Sequence, residues 1–394
     1  MTVISRSFRG GLTATLVAAA VIASTVLSAR AETRGSAAAF AAPSVHFLYA
    51  DDGTCPDGID VFKVSGSTLT LVENIVAGCS GGNNLFGAHR LAVTKKTSSG
   101  PACLFFASSG NGVSGTVNSF AIASSTGKLT PKTSVSGGTD PTDLLVVGRI
   151  LIETDPDGLA FNTYKIKTSC ALTALLSNST GSEFDINIAQ LHGTAVASAD
   201  VSTGNIVTYH LNTTTGAMTE VHSVAGQIGH PDSLAVQTAS SSSGQVINVF
   251  TGQSTLRPPQ VQAAQATSTG SALSAFSGSP VTDGDGSSSN GIGVLVAGRL
   301  LLQLNNESSQ VAWYGFTTGK PGVPGSIAYG GDTALTASPT EMTQLGSTLF
   351  VAMWTAGVVD ACAVGAGGVS GCVAAATLST NGNPYDRAGA VAYL

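Results

Sequence analysis

The sequence predicts an all-β fold, a seven-bladed β-propeller whose last strand closes blade one. Three observations predict it. Short apolar runs alternate at period two between Gly, Ser and Thr turns, as antiparallel hairpins do. A unit of roughly 50 residues recurs seven times, close to the repeat length of propellers. Little of the chain has the 3.6-residue period of a long helix. A β-helix or a pair of sandwiches competes, but rungs are shorter and sandwiches need no seven-fold repetition.

The composition agrees with such a ring. Only 10% of the 394 residues are charged, against about 25% in ordinary soluble domains. Hydrophobic residues make up 43%, too many for a disordered chain. The 48 glycines suit repeated tight turns. A formal net charge of −6 argues against nucleic acid as a partner, since a backbone binder needs a basic surface.

Residues 1–31 read as a signal peptide. Arg6 and Arg9 precede an apolar run from Leu12 to Leu27, and Ala29-Arg30-Ala31 fits a small-x-small cleavage site before Glu32. The run is short for a bilayer span, so no membrane association is expected after cleavage. Residues 32–44 form a short extension, and residues 45–394 a single propeller domain. A secreted location, extracellular or periplasmic, is expected. Cys55, Cys79, Cys103, Cys170, Cys362 and Cys372 then suggest disulfides. Cys362 with Cys372 suits a hairpin, Cys55 with Cys79 is the next local pair, and Cys103 with Cys170 follows by elimination.

The repeat justifies each element in order. Val61 to Val64 with Leu69 to Val72 open it. Val117 to Ile122 with Leu129-Thr130 follow, then Phe161 to Ile166 with Leu172-Thr173, and Ile206 to Leu211 with Met218-Thr219. Val246 to Phe250 starts the fifth unit, which is interrupted before Leu273; Gln260 to Thr269 reads as a short helix or a loop insertion. Val311 to Phe316 and Val358 to Val364 carry the last two. Phe120, Tyr164 and Tyr209 stand 44 and 45 residues apart, with Phe316 and Val364 as expected equivalents. Leading apolar strands are read at Leu91, Leu144, Thr194, Leu234 and Val294. The first unit lacks one, and Ala388 to Tyr393 is expected to supply it.

The units resemble the lactonase-like seven-bladed propellers, the family of bacterial 6-phosphogluconolactonase-like and fungal carboxymuconate-cyclase-like proteins. Gly229-His230-Pro231-Asp232-Ser233-Leu234-Ala235-Val236 and the hairpin from Asn118 to Thr130 carry the resemblance. It covers roughly residues 45–394. The Ser-Pro-Asp-Gly turn usual in that family is largely missing; Asp155-Pro156-Asp157-Gly158 stands elsewhere.

Loops leading into the innermost strands should line one mouth of the axis, the default pocket. The resemblance implies a lactone or carboxylate chemistry there. His89 and His192 are candidates for proton transfer, and Glu341 and Asp143 for a base or for orienting a histidine. Arg90, His230, Asp232, Asn290 and Arg387 are candidates for binding an anionic substrate or oxyanion. A small-molecule substrate, no cofactor, no metal and a monomer are expected. Asp283-Gly284-Asp285-Gly286 lacks EF-hand spacing. No nucleophile elbow or nucleotide-binding loop appears. Whether the propeller is an enzyme stays open: a non-catalytic extracellular binding or scaffold propeller is the alternative, and a saccharide hydrolase a third, disfavoured by 6% aromatics.

Overall fold

The computed structural model describes residues 45–51, 57–78, 90–98, 100–110, 113–181, 185–225, 231–241, 244–253, 259–283, 291–353, 355–379 and 391–393. These form seven antiparallel sheets and, among the described residues, no α-helix. Six sheets are built on four successive strands, the fifth blade carrying one extra short strand, and the first sheet joins the chain's last strand to its first three. The innermost strands of blades two to seven are Leu91–Thr94, Asp143–Val147, Asp185–His192, Pro231–Ser241, Gly291–Ala297 and Pro339–Leu345. In the first sheet Val391–Tyr393 pairs antiparallel with His46–Asp51, Leu48 opposite Tyr393 and Ala50 opposite Val391.

Each junction between neighbouring blades holds one apolar cluster. Blades one and two share Phe47, Tyr49, Leu104, Phe106 and Phe120. Blades three and four share Ile152, Phe161, Val196 and Tyr209, where the Phe161 and Tyr209 rings meet edge to face at 5.0 Å. Blades seven and one share Phe350, Ala352, Leu48 and Phe62, so the ring closes by side-chain packing as well. Burial of this kind is the main source of stability, and it explains how so uncharged a chain can fold.

The repeat aromatic has a structural reason. Phe62, Phe120, Tyr164, Tyr209 and Tyr314 each stand on the third strand of their blade directly after the step that faces a one-residue β-bulge in the outermost strand. The bulge increases local twist and re-aims the next side chain, here into the junction with the preceding blade. The register corrects the expected equivalents. Tyr314 lies opposite Leu301 as Tyr164 lies opposite Leu151, whereas Phe316 is two residues further on. In blade seven the same place falls to Cys362, opposite Leu349, and not to Val364. Cys362 is disulfide-bonded to Cys372 across the hairpin.

Gln260–Ala266 is neither helix nor insertion. It is the third strand of blade five, paired with Ile247 to Gly252. Ala263, Ala264 and Ala266 are buried there, so tertiary burial overrides alanine's preference for helix. Blade four also differs from expectation. Its innermost strand is Asp185–His192, and Thr194-Ala195-Val196 turns into its second strand. The second described disulfide, Cys103–Cys170, joins blade two to blade three. Cys55 and Cys79 lie outside the described residues.

Candidate functional site at the axial mouth

All innermost strands start at one end of the ring, because every blade repeats the same up-and-down order. A cavity of about 460 Å³ runs along the axis against the strands of blades two to seven. Its wall is mostly apolar, with Leu91, Leu145, Ile188, Leu234 and Val294 among the lining. Two carboxylates join it near the strand starts, Asp143 from blade three and Glu341 from blade seven.

Asp143 is 1% exposed and Glu341 3% exposed. Asp143 accepts a hydrogen bond from the Leu144 amide at 2.7 Å on one oxygen and from the Ile188 amide at 2.9 Å on the other. Its own amide donates to Thr154 Oγ1 at 2.9 Å. The carboxylate therefore ties blade three to blade four at the cavity wall. Such charge-assisted bonds are stronger than neutral ones. Glu341 is the first paired residue after a register shift in its strand, opposite Ala352. Arg90, 4% exposed, directly precedes the innermost strand of blade two at the same end, and its carbonyl accepts from the Ala107 amide at 2.9 Å.

His192 does not join this group. It ends its strand beside the Gly193-Thr194 turn, exposed, at the opposite end of the axis. Thr194 to Val196, expected as the innermost strand, opens the second strand of blade four, and this puts His192 at the end away from the mouth. His89, His230, Asn290 and Arg387 lie outside the described residues, as does the side chain of Asp232, whose backbone belongs to Pro231–Ser241. The structure thus brings Asp143, Glu341 and Arg90 to one end. Among the described residues no group of three or more His, Cys, Asp or Glu is arranged to hold a metal.

A further buried acid, not among the candidates named from the sequence, lies outside the cavity. Glu153, in the second strand of blade three, accepts hydrogen bonds from the Tyr164 hydroxyl and from the Gly138 amide at 2.7 Å. Burial above all, with the neighbouring Asp155 charge, pushes its carboxyl up to about 7. The same burial, with the charge of Glu153, raises Tyr164 well above the usual phenol range. A polar residue in the middle of Ile150-Leu151-Ile152-Glu153 was the available signal. A larger cleft of about 790 Å³ lies between blades five, six and seven at the other end, lined by Arg299, Phe316, Gln344 and Val364. Among the described residues no carboxylate lines it, so acid–base chemistry favours the axial cavity.

Solved structures share this fold. A candidate 6-phosphogluconolactonase of Bacteroides fragilis is 14% identical, with a TM-score of 0.70 over 89% of this chain and 98% of that one. A periplasmic gluconolactonase of Pseudomonas aeruginosa is 14% identical, with a TM-score of 0.68 over 89% and 99%. The fold is that of the 6-phosphogluconolactonase-like propellers. A functionally unknown protein of Desulfotomaculum acetoxidans shares it too, at 12% identity and a TM-score of 0.61 over 88% and 98%. No protein-family model matches the chain, and no curated relative does. Identities this low carry the fold and leave chemistry to the residues of the site. Among the described residues no helix is long and apolar enough to cross a membrane.

Proposed function

We propose that the protein is an exported hydrolase that opens a small anionic lactone at the axial mouth. The observation that carries this reading is the pair of buried carboxylates, Asp143 and Glu341, lining one apolar axial cavity. A general base in a water-poor site is more effective than in bulk water. In this reading Glu341 takes a proton from water as its oxygen attacks the lactone carbonyl. The acyl C–O bond of the ring breaks, and the proton passes to the departing alkoxide, giving the open hydroxy acid. Asp143, held by two main-chain amides, positions the blade three wall. Arg90 supplies positive charge at the mouth for the substrate anion or the oxyanion. His89, His230, Asp232, Asn290 and Arg387 remain proposed site residues. Export is supported by the leader-like residues 1–31 and by the two described disulfides.

The test is hydrolysis of a panel of five- and six-membered aldonolactones by the parent and by Glu341→Gln. Removing the base should lower kcat by about 100-fold or more while the melting temperature stays within a few degrees. No turnover above the spontaneous rate, or an unchanged kcat in Glu341→Gln, would refute the assignment. A non-catalytic binding propeller is the second reading. It is favoured by the apolar wall and by the main-chain bonds that occupy both Asp143 oxygens. Stabilisation by lactones or hydroxy acids without turnover would select it.

A further inference from the structure

Charge is segregated along the propeller axis. Nine of the eleven described Lys and Arg residues sit at the end opposite the mouth, in or beside turns joining first to second and third to fourth strands. The two exceptions are Arg90 at the mouth and Lys132 within an outermost strand. Carboxylates such as Asp51, Asp155, Asp200, Asp283 and Glu341 sit at the mouth end. A chain with a net charge of −6 therefore presents a cationic face.

On that face one cleft of about 330 Å³ lies between blades two and three. Lys95 and Thr97 enter it from the first turn of blade two, Arg149 from the corresponding turn of blade three, and Lys167 and Thr168 from the third-to-fourth turn of blade three. Among the described residues no carboxylate lines it. Arg149 Nε donates to the Ile166 carbonyl at 3.1 Å, which orients the guanidinium fork and leaves four of its five donors for other acceptors. Three cations gathered without a counter-charge repel one another in the free protein. A polyanion would relieve that repulsion.

The cleft is also built to keep its shape. Cys103 lines it, and its disulfide partner Cys170 closes the turn that carries Lys167 and Thr168. A Cβ on Gly100 would stand 2.6 Å from the Thr168 carbonyl oxygen, so a side chain there would push the two loops apart. Both walls are thereby fixed before any ligand arrives, which lowers the ordering cost of binding.

We propose that this cleft binds a small soluble polyanion through phosphate-type groups. The guanidinium fork matches two oxyanion oxygens, and the two ammonium groups act as point charges. The volume is near the lower end of ligand pockets, roughly 300–1,000 Å³, and suits a diphosphate or a phosphorylated sugar. Its recessed position between two blades suits a free molecule better than a lipid surface.

Inorganic pyrophosphate is the probe, titrated into the full chain by calorimetry at low ionic strength and followed by thermal melting. One-to-one binding and a raised melting temperature are expected. Arg149→Ala and Lys167→Gln should each raise Kd by about tenfold or more. Lys320→Ala, on the same face in blade six, should leave Kd within about twofold. The unliganded melting temperatures verify that each variant folds. No heat and no shift with pyrophosphate would overturn the proposal. So would equal weakening by Lys320→Ala, which would mean diffuse charge. Binding to phosphatidylglycerol vesicles without pyrophosphate binding would overturn it in favour of a membrane surface.

Discussion

Replacing Glu153 by Gln should make the protein more stable at neutral pH and leave it nearly unchanged in mild acid. Glu153 is fully buried, and its carboxyl is pushed from 4.5 up to about 7, first by burial and then by Asp155. Hydrogen bonds from Tyr164, Gly138 and Asn162 oppose that rise without cancelling it. In the unfolded chain the proton leaves near the ordinary value. Between that value and about 7 the folded state holds the proton and the unfolded state does not, so stability falls as pH rises through this window. Below the window both forms are neutral, and above it the loss is complete. A rise from 4.5 to about 7, at about 1.4 kcal/mol per pH unit, corresponds to about 3 kcal/mol. An unfolding entropy near 2.1 cal/mol/K per residue turns this into about 4–5 °C for some 350 residues.

The molecule contains its own control. In blade six Gln303 stands where Glu153 stands in blade three, each two residues after the partner of the third-strand tyrosine. Tyr314 donates to Gln303 Oε1 at 2.8 Å, as Tyr164 donates to Glu153. A glutamine therefore fits this slot and satisfies the phenol. Melting curves of the parent and Glu153→Gln from pH 4.5 to 8 are the assay. The variant's advantage should grow from near zero to about 4–5 °C. An advantage independent of pH would refute the reasoning, because it would mean that Glu153 is not held protonated by the fold.

The inter-blade disulfide closes a long segment, 67 residues in sequence, so Cys103→Ser with Cys170→Ser should cost about 4 kcal/mol. Cys362 and Cys372 are only 10 residues apart, and losing that bond should cost about 3 kcal/mol; denaturant melts of both double variants give the ranking, and equal losses would contradict it. Gly127 has φ +72° and its Cβ would stand 2.3 Å from the Phe47 ring, so Gly127→Ala should destabilise by about 2–4 kcal/mol. Gly66 has φ +62° with nothing within 4 Å, so Gly66→Ala should show only the backbone cost of about 1–2 kcal/mol; a comparable loss in both would show that the Phe47 contact contributes nothing.

Much of the fold was legible because period-two apolar runs and turn residues act locally. Thr126-Gly127 and Thr215-Gly216 end in glycines at φ +72° and +80°, as the tight-turn reading requires. Thr318-Gly319 resembles them in sequence, yet the left-handed glycine of that loop is Gly322, at φ +76°. Gln260–Ala266 was not legible, because its alanines suit a helix and only the neighbouring strands make a strand of it. Tyr314 was passed over for Phe316 because both are aromatic, and the bulge that selects between them is a property of pairing with the outermost strand. At the candidate site, Asp143 and Glu341 were legible as acids at the entry of innermost strands.

The misplacement of His192 shows why site residues are harder to read here than strands. In an up-and-down blade the end at which a residue lies depends on whether its strand is odd or even. Miscounting by one strand leaves the all-β assignment and the hydrophobic pattern intact, but moves the residue by the length of a strand, about 17–20 Å. Asp185–His192 invites the error because Asn187, polar and buried, breaks the apolar signal seen in the innermost strands of blades two, three and six. The same parity hides the charge segregation. Lys95, Arg149 and Lys167 are scattered in sequence, and each follows a different strand, but all three turns lie after an odd-numbered strand of their blade. Counting strands by parity therefore assigns charge to a face before any coordinate is known. For this chain it separates a carboxylate-lined mouth from a cationic cleft at the other end of the same ring.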